Sequence, residues 1–422
     1  MSIEQRMPLE SSRHCALTRE HYAARMQRRL STADAVFIGL GSMLGAGVFA
    51  AFAPAAAAAG SWLLLGLAIA AVIATCNALA TAQLAAQYPL SGGTYVYGRE
   101  ELGPWWGFFA GWSFVVGKTA SCAAMALTFA YYVAPDGWER PVAAAAVAVL
   151  AIVNVLGVTR TALLARIIVV LVLAALATAT VSLPHAQQLD AALPHGLYGV
   201  LQAAGLLFFA FAGYARIATM GEEVRDPARA IPRAIVIALA ITVVVYAIVG
   251  VGLLGALGPA GLAASSEPFV DAVSGSPWLA PIVTIGAALA SLGALLALIA
   301  GIGRTTLAMA RESDLPHWLA AVHPRFGVPH RAELTLAAIV VVLVLTVDLR
   351  NAIGFSTFGV LLYYLVANLS ALRQRQRLYP RWLFVLGAVG CVTLVATVPM
   401  PSITVGLAVL AVGLVYRLMR TR

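Results

Sequence analysis

The chain of 422 residues contains one lysine. It is Lys118, near the middle of an apolar stretch running from 105 to 134. A charge at the centre of a membrane helix costs about 2.5–3.5 kcal/mol or more, which makes it a functional candidate by default. A buried lysine can exchange its proton, whereas an arginine holds its own. In a sequence that uses arginine everywhere else, Lys118 is expected to carry a proton inside the bilayer. The alternative is a structural lysine that bonds a freed carbonyl or reaches the interface along its apolar stem. A second intramembrane charge, Arg216, either binds an anionic group of a ligand or pairs with an acidic residue such as Glu222 or Glu223. If Arg216 faces the ligand, charge repulsion disfavours a cationic one.

Glycines mark a second kind of chemistry. Gly41, Gly45 and Gly47 fall in one apolar stretch, 33–56, and Gly213 lies near the middle of another, 198–220, in the run Phe211-Ala212-Gly213-Tyr214-Ala215. Each glycine weakens a helix by about 1 kcal/mol relative to alanine, so both stretches are expected to be interrupted. An interrupted membrane helix frees N–H and C=O groups that need partners inside the bilayer. A zwitterion satisfies both kinds. Its carboxylate accepts from N–H groups at the head of a half-helix, where the dipole also helps, and its ammonium donates to carbonyls. Glycines can also serve only to let helices pack closely. The matching interruption of two stretches favours the binding reading.

The elements that must hold these residues follow from composition. The chain is 61% hydrophobic and 11% charged, far from the balance of a soluble domain. Its apolar runs are long enough to cross a bilayer. Twelve candidate helices result: 33–56, 62–85, 105–134, 141–157, 163–183, 198–220, 233–257, 279–310, 333–348, 351–370, 382–398 and 401–418. With the N-terminus in the cytoplasm, 22 arginines fall in the tail, inner loops and C-terminus, and only Arg140 and Arg350 fall outside. The positive-inside rule then places both termini in the cytoplasm and requires an even span count. The interrupted stretches are the first and sixth, five apart, as expected when helices 1–5 and 6–10 are inverted repeats. The expected organisation is a cytoplasmic tail at 1–30, a ten-helix core at 31–370 and two accessory helices at 371–422.

The net charge of +9 is explained by arginine-rich inner loops, with no call for nucleic acid. Met1 to Leu30 is polar and lacks the apolar core of a cleavable signal. Cys15, Cys76, Cys122 and Cys391 lack metal-ligand spacing, and the three inside expected helices, Cys76, Cys122 and Cys391, read as small packing residues. No HExxH and no phosphate-binding GxxxxGK[ST] occurs, and no nucleophile has a neighbouring base. An enzyme and an ATP-driven pump are therefore disfavoured, and no cofactor is expected. The alanine-, glycine- and arginine-rich composition looks like that of a GC-rich bacterial genome.

Four segments resemble signatures of amino acid/polyamine/organocation superfamily permeases. These are Gly41-Ser42-Met43-Leu44-Gly45-Ala46-Gly47-Val48-Phe49, Pro89 to Tyr97 followed by Gly103 and Gly107 to Trp112, Phe208 to Pro232 including Glu222-Glu223-Val224-Arg225-Asp226-Pro227, and Ala308 to Pro316 followed by His323-Pro324-Arg325-Phe326. They occur in the family's order over about 33–335; the last two helices fit by count. The resemblance implies an all-α, leucine-transporter-type fold with alternating access. It would set the substrate carboxylate near the N–H groups of Ala46 and Gly47, and the ammonium near carbonyls of Met43, Phe209 and Ala212. Gly213 and Tyr214 complete the expected binding set, Phe209 would act as an aromatic lid, and Glu222 and Glu223 would either close an inner gate with loop arginines or cap the end of the sixth helix. The loop motifs look most like the cationic amino acid transporter branch, with two departures. Val172 stands where proton-coupled relatives carry a lysine, and the stretch from Gly111 to Lys118 lacks that branch's glutamate and ends on a base. The expected function is secondary transport of amino acids or related amines across a bacterial inner membrane, driven by protons. An ion-independent exchanger and an amino acid sensor are the competing readings.

Overall fold

The computed structural model describes residues 30–89, 92–157, 161–183, 194–221 and 223–420. Apolar side chains fill both the interior and the exterior, so helices form wherever a run of such residues must satisfy its own backbone. The first helix, α1 (Thr32–Met43), begins at a capping box: the Ser31 hydroxyl accepts from the Asp34 N–H while the Asp34 carboxylate accepts from the Ser31 N–H. It stops at Leu44 and Gly45, and α2 (Ala46–Ala50) starts a new helix. The bonds continue through Ala51 into α3 (Phe52–Ala59). Gly60, at φ +58°, turns the chain, and α4 (Leu63–Gln87) returns.

The segment after α4, read as a loop in the sequence, folds into α5 (Thr94–Leu102). Gly93 and Gly103 bracket it at φ +56° and +110°, conformations that suit glycine and set a short helix apart from its neighbours. Then come α6 (Pro104–Val133), α7 (Glu139–Val155) and α8 (Thr161–Val181). The second interrupted helix is α9 (Gly196–Phe211), a 3₁₀ turn at Ala212–Tyr214, and the single turn α10 (Ala215–Ala218). Helix α11 (Pro227–Ala264) is kinked at Gly258, and α12 (Pro268–Ala272) is short. The rest are α13 (Leu279–Arg311), α14 (His330–Thr346), α15 (Leu349–Arg373), α16 (Arg381–Thr397) and α17 (Met400–Arg420).

Among the described residues nine helical segments are long and apolar enough to cross a membrane; α7, α14 and α16 are 17 residues each, the lower end of a bilayer crossing. No named strand occurs among them, and the one extended pairing is the isolated bridge between Leu30 and Val224. Helix α6 lies at the centre, 89% buried along its apolar stretch, and packs on α13, α15 and α5. Helices α8 and α17 lie at the periphery, 28% and 22% buried. Their outward residues are apolar, among them Leu163, Val170, Val412 and Val415, as are Val244 and Val251 on α11. So broad an apolar exterior requires lipid around it.

Candidate substrate site where the broken helices cross

The two interruptions meet in space. Gly213 lies against the backbone of Ser42 and Met43 so closely that a methyl group there would fall on the Ser42 carbonyl. A methyl at Gly47 would lie 2.6 Å from Ala210 Cα. Glycine at these two positions therefore lets α1–α2 and α9–α10 touch backbone to backbone, which the side-chain patterns alone leave unspecified.

Beside the crossing is a small cavity of about 20 Å³, room for about one water. Ser42 lines it from α1, Phe114, Lys118 and Met125 from α6, Ala212, Gly213, Ala215, Arg216 and Thr219 from the second interruption, and Ala294, Leu298 and Gly301 from α13. Four of the expected site residues are thus brought together: Lys118, Ala212, Gly213 and Arg216. Met43, Ala46, Gly47, Phe209 and Tyr214 are buried nearby but do not form its wall. The Tyr214 ring stacks on Tyr364, with centroids 5.0 Å apart.

The carbonyls at the interruptions already have partners. Lys118 Nζ donates to the Ala212 carbonyl at 3.0 Å, and the Tyr364 hydroxyl reaches the same oxygen at 3.3 Å. The Phe209 carbonyl accepts the Ala212 N–H. The Tyr246 hydroxyl donates to the Met43 carbonyl, with the Ala210 carbonyl 3.1 Å away. Tyr246 and Tyr364 were missed in the sequence. The available signal was a tyrosine inside an otherwise apolar helix, since a buried phenol needs a hydrogen-bond partner.

Charges continue from the cavity along one route. Arg216 Nη1 donates to Thr219 Oγ1 at 2.9 Å, and Nη2 lies 4.0 Å from Glu223 Oε1. That same oxygen is paired with Arg304. Glu223 also ties down the residue before the α1 cap: its carbonyl accepts the Leu30 N–H at 3.0 Å, and the Leu30 carbonyl accepts the Arg225 N–H at 2.9 Å. Asp34 on α1 pairs with Arg166 on α8 at 2.6 Å. Glu222 lies outside the described residues. A second polar cluster gathers on Asp314, in the motif after α13. Arg417 from α17 pairs with it, Arg99 lies 3.5 Å away, and the Tyr95 hydroxyl donates to it at 2.9 Å.

Among the described residues the chain is all-helical, with two interrupted helices crossing beside a small, mostly apolar cavity that Lys118 and Arg216 reach, an arrangement that fits a permease. The chain belongs to the amino acid permease family, whose model matches residues 34–421, so it is a transporter rather than an enzyme. The match reaches past the four motifs to include α16 and α17. The chain is 57% identical over 92% of its length to an uncharacterized transporter of Mycobacterium tuberculosis, covering 90% of that protein. It is 28% identical to the branched-chain amino acid permease BcaP of Bacillus subtilis, over 84% of this chain and 83% of that one. It is 29% identical to human cationic amino acid transporter 4, over 80% of this chain and 58% of that one.

Proposed function

We propose that this chain is a twelve-helix secondary transporter that carries amino acids across a bacterial cytoplasmic membrane by alternating access. The observation that carries the reading is the backbone contact of the two interrupted helices beside a cavity holding Lys118 and Arg216. The first ten membrane spans, lying between α1 and α15, act as paired five-helix repeats, α16 and α17 are accessory, and both termini face the cytoplasm. The cavity is too small for an amino acid; in this reading it is the closed form, and the crossing opens to admit substrate. The substrate carboxylate takes the unspent N–H groups at the head of α2, near Ala46 and Gly47. Its ammonium competes with Lys118 for the Ala212 carbonyl. Glu223, held by Arg304, closes the cytoplasmic side, and Phe209 moves with the crossing as a lid.

Lys118 supports two modes. As a proton carrier it would hold the Ala212 carbonyl more weakly on deprotonation, when the bond loses its charge assistance, and link a proton to each substrate cycle. As a fixed tether it would hold the 3₁₀ turn, and transport would run as exchange; its hydrogen bond to a backbone carbonyl favours this second mode as well as the first. Uptake of a radiolabelled amino acid panel into proteoliposomes, with and without an inward proton gradient, separates them. Gradient-stimulated uptake that Lys118→Gln abolishes supports symport. Uptake indifferent to the gradient but dependent on internal amino acid supports exchange. No uptake of any amino acid under either condition contradicts the proposal.

A further inference from the structure

Glu333 is buried, and none of the transport steps above uses it. It stands in the first turn of α14, 2% exposed, and its buried Oε2 has no hydrogen-bond partner among the described residues. Its side chain occupies the space that Gly303 of α13 leaves open: a methyl group there would lie 2.8 Å from Glu333 Cγ and 3.4 Å from Oε1. The next residue on α13 is Arg304, whose charge acts on the Glu333 carboxyl and which pairs with Glu223. One guanidinium therefore stands between two carboxyl groups, Glu223 at the gate and Glu333 on α14. Burial and a neighbouring arginine act on a carboxyl in opposite senses, and a group so balanced can gain and lose its proton.

Resting on the cytoplasmic gate proposed above, we infer that Glu333 is a proton site which, on losing its proton, competes with Glu223 for Arg304 and loosens that gate. Protonated, Glu333 lies against Gly303 as a neutral acid, and Arg304 stays on Glu223. Ionised and buried, it needs a countercharge, and Arg304 is beside it. Glu223 is then left with the longer, 4.0 Å approach of Arg216. The proton passes to water on the cytoplasmic side as the gate opens and returns from it as the gate closes. Other charged groups on the elements around α14 are placed differently. Lys118 on α6 is committed to the Ala212 carbonyl, and Arg140 on α7 meets the far end of α14 at the Val344 carbonyl. Arg311, His317 and Arg331 are exposed. His330, one turn before Glu333, has a buried Nδ1 without a partner among the described residues, and its ring lies 5.4 Å from that of His323. Glu222, next to Glu223, lies outside the described residues.

The test reads gate opening as the modification rate of a cavity cysteine. Leu298→Cys, in a background whose own cysteines are replaced, is treated with a small water-soluble thiosulfonate in inverted membrane vesicles, which present the cytoplasmic face. Val322→Cys, in the exposed loop before α14, gives the rate of an accessible cysteine, and dividing by it removes the pH dependence of the reagent. From about pH 6 to about pH 8 the corrected rate is expected to rise about fivefold, the scale of a partly exposed ion pair. Glu333→Gln, which fixes the neutral form, is expected to hold the rate low throughout, Glu333→Asp and His330→Gln to keep the rise, and Glu223→Gln to hold the rate high. A residue that only supports the fold would instead make both glutamate-to-glutamine variants faster, and that result counts against the inference. A flat rate in the parent Leu298→Cys protein overturns it, as does a rise that survives Glu333→Gln or disappears with His330→Gln. A rate that increases toward acid pH assigns the titration to Glu223 and also overturns it. Failure of Glu333→Gln to fold, with Glu333→Asp intact, would show that the ionised form is required and has the same consequence. Amino acid uptake is measured in parallel: its absence sinks the proposed function, while the modification rates still decide whether Glu333 is the proton site.

Discussion

Tyr246 joins the two interrupted helices through one hydroxyl, which donates to the Met43 carbonyl and lies 3.1 Å from that of Ala210. Tyr246→Phe keeps the ring packing on Phe52 and Phe211 but leaves a buried carbonyl unpaired, a cost of about 1–3 kcal/mol. It is expected to lower the thermal midpoint of the detergent-purified protein and to slow uptake; an unchanged midpoint would show that the carbonyl finds another donor. Asp314 is 5% exposed and gathers Arg417, Arg99 and the Tyr95 hydroxyl. Asp314→Ala takes from the buried Arg417 the carboxylate it pairs with, and removing one member of such a pair costs about 3–5 kcal/mol. The readout is loss of the monodisperse peak on size-exclusion chromatography, while Glu312→Ala, at an exposed partner of Arg99, leaves the peak intact. Lys118 and Arg216 were legible as chemistry because charges inside apolar runs stand out. Their geometry was not legible, since the partner of Lys118 is a backbone carbonyl 94 positions away and backbone atoms leave no mark in side-chain patterns.

The interrupted helices differ in how they break. The first stops at Leu44–Gly45 and restarts at Ala46, whereas the second tightens through a 3₁₀ turn and ends one turn later. A 3₁₀ segment within a helix often marks a hinge, consistent with movement of α10 while α9 stays packed on α4. Glycines within 41–47 and at 213 foretold where the breaks lie, and periodicity gave no hint that the second would tighten. Gly213→Ala places a methyl on the Ser42 backbone, and overpacking of this kind costs about 1–3 kcal/mol. Uptake is expected to fall by more than about tenfold. Gly255→Ala on α11, where nothing lies within 4 Å of the added carbon, is expected to be silent. At the other end of the hinge, Glu223→Gln removes the pair with Arg304 and the 4.0 Å approach of Arg216. Partly exposed pairs contribute up to about 1 kcal/mol, so cytoplasmic opening should increase about fivefold. That is read as faster modification of a cysteine placed in the cavity.

For the whole molecule, the sequence located the ends of the long described helices to within about three residues, α11 excepted, because lipid on the outside and helices on the inside both demand apolar runs. Differences arose at the ends. Helix α11 continues to Ala264, past the limit of 257, because Gly258 and Pro259 kink it without ending it. Helix α5 was missed because its nine residues are polar on balance, with Arg99, Glu100 and Glu101 among them, and the bracketing glycines rather than periodicity define it. The arginine asymmetry implies that the loop between α6 and α7, around Trp138, lies outside the cell and that the loop between α13 and α14 lies inside. Cysteines introduced at Trp138 and at Val322 in intact cells should be labelled, respectively, readily and poorly by a membrane-impermeant maleimide; the reverse pattern would invert the orientation.

The central claim is that amino acids occupy the crossing of the interrupted helices. Leu298 lines the cavity from α13, and the protein's own cysteines at 15, 76, 122 and 391 can be replaced by serine or alanine. Leu298→Cys in that background should react with a small water-soluble thiosulfonate, and a saturating mixture of amino acids should slow the reaction several-fold while sugars of similar size leave it unchanged. A rate indifferent to every amino acid, in a protein that still transports, would place the substrate path elsewhere.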